Sequence, residues 1–477
     1  MNVKLSKLVI AALASTSMMG FGGLAHADST TDIVNALVMK GVLTEEEGAL
    51  LTKGHSGETG AAKKEKDTTV HAASKMNIRG YLQVRNTTLE KNARNVNLFS
   101  DRSVANKYSL KDRDGNFVIR RARVIISGSA GDRLDYYIQP DFASTAGSGN
   151  NNFAQLRDYY GDFNLTKDKV HRVRVGQSKV PFGFENLQSS QNRLALDRAD
   201  ALNSAVKDER DLGAFYYYTP DNIQKLMKEI QDAGLKHSGN YGLIALGAYN
   251  GQGANQREVN DNYHLVARAS YPWKTESGQI YEVGVQGYTG KYMPSTPAAY
   301  RKTSASGSAS SVTPTINGLA AADYKGYGIK DERAAISFMM YPQPFGLQAE
   351  WNWGKTPGLD VTDGAKGNIK EQKLDGGYVQ AMYKIDHVKI GETDGTVIPF
   401  VRWQYFDGFQ KAETNATQNK VNDWETGVEW QIAPEVELVA YWHHMNRTNA
   451  ITGNTGGVKD YARFKADALR VQLQYNF

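Results

Sequence analysis

Cysteine is absent from all 477 positions, which leaves the chain neither disulfides nor thiolate metal sites. That argues against a disulfide-stapled secreted domain. Long apolar runs are missing beyond the N-terminus, and mean hydropathy is −0.52, so transmembrane helices are excluded. A transmembrane barrel is not excluded, because its strands alternate lipid-facing and lumen-facing side chains and look polar on average. Neither charge dominates: 56 Lys+Arg against 51 Asp+Glu leaves +5, and nothing at this level demands nucleic acid as a partner. Proline is scarce, whereas 46 glycines, 26 tyrosines and 7 tryptophans suit a large antiparallel sheet with aromatic girdles.

At the N-terminus, Lys4 and Lys7 precede an apolar stretch that begins at residues 8–13 and continues through Met18, Met19 and Phe21. Ala25-His26-Ala27 supplies small residues for cleavage, so residues 1–27 read as an export signal cut before Asp28. Ser15, Thr16 and Ser17 interrupt the short apolar core, which argues against a membrane anchor. Residues 28–74 differ from everything after them. Ile33, Leu37 and Val38 recur at helical spacing, and Thr44-Glu45-Glu46-Glu47 opens a second short helix as a capping box. The GETGAAKKEKD run then reads as a flexible linker. The expectation is a short helical periplasmic extension, a tether or an assembly element.

From Lys75 the period becomes two. Met76, Ile78, Gly80, Leu82 and Val84 alternate with Asn77, Arg79, Tyr81, Gln83 and Arg85. At the other end Leu469, Val471, Leu473, Tyr475 and Phe477 alternate with Ala468, Arg470, Gln472, Gln474 and Asn476. Each such segment is a strand with one apolar and one mostly polar face. Short connections (130–132, 166–169, 273–279, 342–346, 433–434) alternate with longer Gly/Ser/Asn-rich ones (90–115, 144–153, 184–212, 291–330, 355–372, 408–420, 447–466). Residues 223–233 (IQKLMKEIQDA) break this rhythm as a helix-like insertion where a short turn is due. The predicted fold is all-β, a transmembrane antiparallel β-barrel of about 16 strands over residues 75–477, in the outer membrane of a Gram-negative cell. A soluble β-sandwich would alternate similarly, but it accounts for neither the export signal nor the long–short rhythm. Phe477, closing an alternating strand, is the kind of terminus that barrel-assembly machinery recognises.

In such a barrel the polar faces line the interior, and their charges set which ions pass. Arg79, Arg85, Arg121, Arg123, Arg172 and Arg174, with Lys179, form a basic wall on the early strands. Later strands place Arg268, Arg402 and Arg470 inward together with Glu282, Glu350, Glu425 and Glu429, after Asp135, Asp141 and Asp158 earlier. One wall is basic and the other more acidic. Arginine's planar fork suits the transfer of an oxyanion from donor to donor; the alternative is that these arginines pair with the acids and hold the wall together. Arg120 and Arg121 are adjacent, so strict alternation turns one of them toward lipid; Arg121 and Arg123 are expected inward, with Val118, Ala122, Val124 and Ile126 on the lipid face. The third long connection carries Arg193, Arg198, Lys207 and Arg210 among Asp197, Asp200, Asp208, Glu209 and Asp211. It is the candidate constriction loop; the alternative is a solvated external loop.

The segments FVIRRARVIISGSAGDRLDYYIQPDFA, LRDYYGDFNL, VRVGQSKVPFGFE and ERDLGAFYYY resemble the phosphate-selective porin O and P family. The resemblance spans about Lys75 to Phe477 and is sharpest between Phe117 and Tyr218. It implies a 16-stranded barrel, usually a homotrimer in outer-membrane lipid and lipopolysaccharide, with an inward-folded third loop and a path lined by arginine and lysine. Arg121 and Arg123 match the family's paired basic strand, and Lys179 its GQ-x-K-V-P-F-G segment. The implied function is passive diffusion of small solutes, anions such as phosphate among them. The third loop is close to charge-balanced rather than lysine-rich, so a general, weakly selective porin stands beside the anion channel.

Two readings from other classes are a barrel enzyme and an adhesive or structural barrel. The enzyme needs a nucleophile, a base and an orienting group. No Gly-x-Ser-x-Gly elbow or His-Glu-x-x-His helix occurs, and His443 and His444 face opposite sides of a strand. No cofactor or metal is expected.

Overall fold

The computed structural model describes residues 38–39, 44–46, 75–90, 96, 98–101, 104, 114–145, 152–303, 309–452 and 458–477. The expected export signal lies outside them. Of the expected extension, Val38, Met39, Glu45 and Glu46 are described and helical. The barrel belongs to the unit Ala73–Phe477.

Among the described residues, sixteen strands close into one antiparallel barrel. In chain order they are β1 (Lys75–Leu89), β2 (Asp114–Ala130), β3 (Leu134–Thr145), β4 (Asn152–Asn164), β5 (His171–Lys179), β6 (Arg210–Tyr218), β7 (Ile244–Tyr249) and β8 (His264–Lys274). Then follow β9 (Ile280–Tyr292), β10 (Ile329–Met340), β11 (Phe345–Asp360), β12 (Asn368–Tyr383), β13 (Thr393–Phe409), β14 (Gln418–Ala433), β15 (Val436–Thr452) and β16 (Val458–Asn476). Each pairs with the next, and β16 returns to β1 with Tyr81 opposite Asn476 and Leu89 opposite Ala468. Lipid offers no hydrogen-bond partner, so a spanning sheet must close on itself. Closure here reaches the final residue: the N–H of Gly80 donates to Phe477 O at 2.7 Å, and the N–H of Phe477 to Gly80 O at 3.0 Å.

Period-two patterning dictates what faces where. Along β8, His264, Val266, Arg268 and Ser270 are buried while Leu265, Ala267, Ala269 and Tyr271 are exposed. Exposed Val175, Leu246, Val283, Val285, Ile336 and Val428 continue this outer apolar surface on other strands. Strict alternation fails at one place that matters. Gln83 pairs with Arg121 but Val84 pairs with Ile119, so Arg120 is an extra residue in a bulge of β2. Both arginines therefore lie inside. Arg120 donates to Ser100 O at 2.9 Å and comes within 3.8 Å of Asp197. Neither faces lipid, and Val118, opposite the buried Arg85, is on the inner face rather than the outer.

The connections sort into two ends. At one end are the long loops, of which the third, L3 (180–209), carries helices α1 (Phe184–Leu187) and α2 (Asp200–Asn203). At the other end are tight turns, except T3 (219–243), which holds helix α3 (Asp221–Asp232); this is the insertion anticipated over 223–233. A long connection at 250–263 was not anticipated, nor was the short strand Ile385–Ile390 that pairs with β13. Strands β11 to β16 also run further than expected, absorbing much of 355–372 and 447–466 and the two ends of 408–420. A strand with partners on both sides keeps pairing through residues whose own β preference is weak.

The interior is not uniformly polar. L3 packs Phe182, Ala201, Leu202 and Ala205 against the inward side chains Tyr217, Tyr288, Ala335, Tyr378 and Phe406, all buried. Burying a side chain of that size contributes about 1.5–3 kcal/mol, so this half of the lumen is a true core. Closure generates a prediction. A Cβ on Gly80 would lie 2.5 Å from the Phe477 ring and 2.4 Å from Arg123 O. Gly80→Val is expected to destabilise the barrel by about 1–3 kcal/mol, read as a lower temperature at which the folded band is lost on cold SDS electrophoresis.

Candidate functional site

L3 leaves β5 through Val180-Pro181-Phe182-Gly183, and Gly183 adopts φ 84°. A Cβ there would come 3.1 Å from Glu350 Oε1 and 3.3 Å from Leu202, so a left-handed glycine is what lets the loop turn inward. The next two backbone N–H groups, of Phe184 and Glu185, donate to the Glu350 carboxylate on β11 at 2.8 and 3.1 Å. Arg402 on β13 then reaches Glu185 at 2.7 Å, Glu425 at 2.9 Å and Asp197 O at 3.0 Å. Arg447 on β15 pairs with Asp200 at 2.9 Å, and Arg333 on β10 donates to Ala201 O and Ser204 O. Glu350 directly, and Glu425 through Arg402, thus hold L3 against the later strands, whereas Glu282 stays within the wall, paired with Arg268 at 3.2 Å.

T3 enters from the opposite end. Ile223 and Ile230 of α3 are buried, while Asp221 and Lys225 face solvent. Gly234 at φ 62° ends the helix, and the chain turns into the lumen. There Leu235 joins Phe184, Leu194 and Leu196 of L3 in an apolar cluster, and Lys236 pairs with Glu429 of β14 at 2.5 Å, both ends buried. Gln188 of L3 donates to Lys236 O at 3.1 Å. Burial, with Lys236 and Lys179 nearby, pushes the His237 imidazole down to about 4. The ring is therefore neutral at pH 7, and its Nε2 accepts from the Asn192 amide at 3.1 Å.

What L3 and T3 leave open is a cavity of about 430 Å³ against β1–β6. Its lining includes Arg79, Arg121, Arg123, Arg174, Lys179, Arg198 and Arg210, against the carboxylates Asp158 and Glu209. Both carboxylates are already matched, Asp158 with Arg210 at 2.7 Å and Glu209 with Arg198 and Arg210. Arg123 pairs with Asp141 at 2.8 Å and donates to the Tyr81 hydroxyl at 2.7 Å. Arg174 grips Asp162 through two nitrogens at 2.7 and 2.8 Å and stacks 3.7 Å over the Tyr160 ring. Among the described residues, Arg79, Arg121 and Lys179 have no carboxylate within ion-pair distance. Arg121 donates to Gln83 Oε1 at 2.7 Å, and Lys179 to the carbonyls of Leu187 and Gln188, both at 2.9 Å.

Four residues expected on the path sit apart from this lining. Arg85 is fully buried in an ion cluster with Asp101 and Asp197, at 2.6 and 3.0 Å, where Arg470 also binds both acids. Arg172 lies beside Asp162 and donates to Asn240 O. Lys207 is exposed at the far end of L3. Arg193 is buried in L3 with none of its guanidinium nitrogens hydrogen-bonded, and burial pushes it down to about 10. Conversely, Glu185 and the Ser189–Asn192 stretch were visible only as parts of the family-like segment and the third long connection, and the Lys236–Tyr241 stretch only as the sequel of the helical insertion. His443 is buried against Asp423 at 2.9 Å, whereas His444 is outside, 2.7 Å from Asp467. Among the described residues, no group of three or more His, Asp or Glu side chains is arranged to hold a metal ion.

The family model described as phosphate-selective porin O and P matches residues 94–477. No curated protein matches the chain. Among solved structures, the chain is similar to the outer membrane channel DcaP of Acinetobacter baumannii, with 14% identity, 84% of this chain and 97% of that one covered, and a TM-score of 0.46. It is similar to the anion-selective porin from Comamonas acidovorans, with 11% identity, coverage of 84% and 99%, and a TM-score of 0.45. Salmonella typhi OmpF in complex with daunomycin gives 12% identity, coverage of 84% and 97%, and a TM-score of 0.49.

The anchoring of L3 is testable by itself. Arg402→Met strands Glu185 and Glu425 as buried, uncompensated carboxylates. The expected cost is about 3–5 kcal/mol, measured as a lower urea midpoint for the refolded protein in detergent.

Proposed function

The chain belongs to the phosphate-selective porin O and P family, and from that premise we propose that it forms a water-filled channel passing small anions, phosphate among them, along the β1–β6 wall. The observation that carries this reading is the division of charge inside the barrel. Glu350 and Glu429 of the later strands are engaged by L3 and T3, and the remaining cavity has seven basic side chains against two carboxylates that are themselves paired. Arg121 and Lys179, which have no acidic partner among the described residues, are the groups best able to hold an incoming oxyanion briefly and release it. Arg123, Arg174 and Arg210, each paired with a carboxylate, frame these two groups and supply further N–H donors. In the same reading, residues 1–27 direct export, residues 28–74 form a periplasmic tether, Phe477 is read by the assembly machinery, and three copies assemble in the outer membrane.

A general, weakly selective porin is the second reading, favoured by the presence of Asp158 and Glu209 on the cavity. Planar-bilayer recording separates the two. Anion selectivity predicts a reversal potential of anionic sign in a KCl gradient and a conductance that falls as phosphate is added. Arg121→Glu with Arg123→Glu is expected to lower the anion-to-cation permeability ratio roughly tenfold. An unchanged ratio would put these residues off the path, and cation preference in the wild type would defeat the anion reading. Hydrolytic activity without conductance would favour an enzyme instead.

A further inference from the structure

T3 is longer than a connection between two adjacent strands requires. Its neighbours at the same end, 165–170 and 275–279, take six and five residues, and 131–133 and 434–435 only three and two. The insertion is amphipathic, yet its apolar residues do not face a membrane. Ile230 and Leu235 point at L3 and at the inner wall, clustered with Phe184, Leu194, Tyr341 and Met382. Beyond the helix, a lysine is carried into the interior and meets a carboxylate on the opposite wall, Lys236 with Glu429 at 2.5 Å, both nearly inaccessible to solvent. An unpaired lysine would be expelled from that place.

The position of T3 follows from what it touches. Its residues Gln231, His237, Gly239 and Asn240 line the basic cavity on one side. The same four line a second cavity of about 400 Å³ on the other, which is bounded by Glu282 and Tyr341. T3 is therefore a partition inside the barrel. It meets L3 through the Gln188–Lys236 and Asn192–His237 hydrogen bonds.

We propose that T3 is the second jaw of the constriction: it closes on L3 from the opposite mouth, Lys236 and Glu429 latch it there, and its 238–241 segment sets how large a solute passes the arginine wall. This rests on the channel reading above. Size exclusion and charge selection are then assigned to different elements. T3 narrows the passage without contributing a free charge, since its one buried cation is neutralised by Glu429, while Arg121 of β2 and Lys179 of β5 select the sign.

The test uses the full chain in planar bilayers and sugar-loaded liposomes, with cold SDS electrophoresis to establish folding. Replacing residues 221–240 by a short Gly-Asn turn is expected to raise single-channel conductance about twofold or more and to admit larger neutral sugars, with the sign of ion selectivity kept. Lys236→Gln with Glu429→Gln, which removes the latch but keeps the loop, is expected to add brief steps to a higher conductance level. Because the chain has no cysteine, Asn192→Cys with His237→Cys gives a unique pair, expected to be bridged by a short bifunctional thiosulfonate in the folded protein. A conducting wild type whose shortened variant keeps the same conductance and sugar cut-off overturns the jaw while leaving the channel intact. Failure to bridge the cysteine pair in folded protein overturns it as well, whether or not the shortened variant folds. A folded wild type that does not conduct removes the channel reading, and this inference with it.

Discussion

A carbonyl or amide in the hydrocarbon layer has no water to turn to, and the rest of the molecule descends from that constraint. It forces the sheet to close, β1 on β16, down to the Gly80–Phe477 pair. Closure fixes the period at two, and the period sends every second residue inward. An inward charge then faces a second requirement, since it must be solvated, paired or hydrogen-bonded. L3 and T3 meet that requirement on one side of the barrel. On the other side the partners come from neighbouring strands and from loop carbonyls, and among the described residues Arg121 and Lys179 are met by neutral oxygens alone.

This explains why an interior with acids and bases on both walls still leaves a basic cavity. Glu350 caps α1, Glu425 shares Arg402 with Glu185, and Glu429 holds Lys236. Each of these carboxylates is committed to a loop. The cations opposite are held differently: Arg174 by a carboxylate on the neighbouring strand and a tyrosine face, Lys179 by backbone carbonyls, Arg121 by a single amide oxygen. Neutral partners leave a positive charge uncancelled, so the wall keeps its potential while its side chains stay ordered.

Much of this was legible in the sequence. Alternation from Lys75 onward, the rhythm of connections and the final aromatic strand gave the barrel, and the inward assignments of Arg268, Arg402, Arg470, Glu350 and Glu429 agree with their burial. Burial, however, is a property of one strand, whereas partnership depends on loops far away in the chain. Glu350 and Glu185 are separated by 165 positions, and nothing local marks either as an anchor. For the same reason Arg85 looked like its neighbours on the path until Asp101 and Asp197 sealed it. The helical insertion at 223–233 was visible from its period, but its destination was not, because the deciding residue, Lys236, follows the helix in an unremarkable polar stretch.

The bulge in β2 has a consequence for how such a wall can be constructed. On a regular strand, the spacing of inward charges is tied to the hydrophobic phase: one position in two is the ceiling. Inserting Arg120 between Ile119 and Arg121 uncouples these quantities. The lipid-facing stripe resumes on the other parity, with Ile119 before the insertion and Ala122 after it, while consecutive guanidinium groups crowd one spot of the interior. Local electrostatic density thereby becomes a variable independent of membrane compatibility, adjustable by the gain or loss of a single residue.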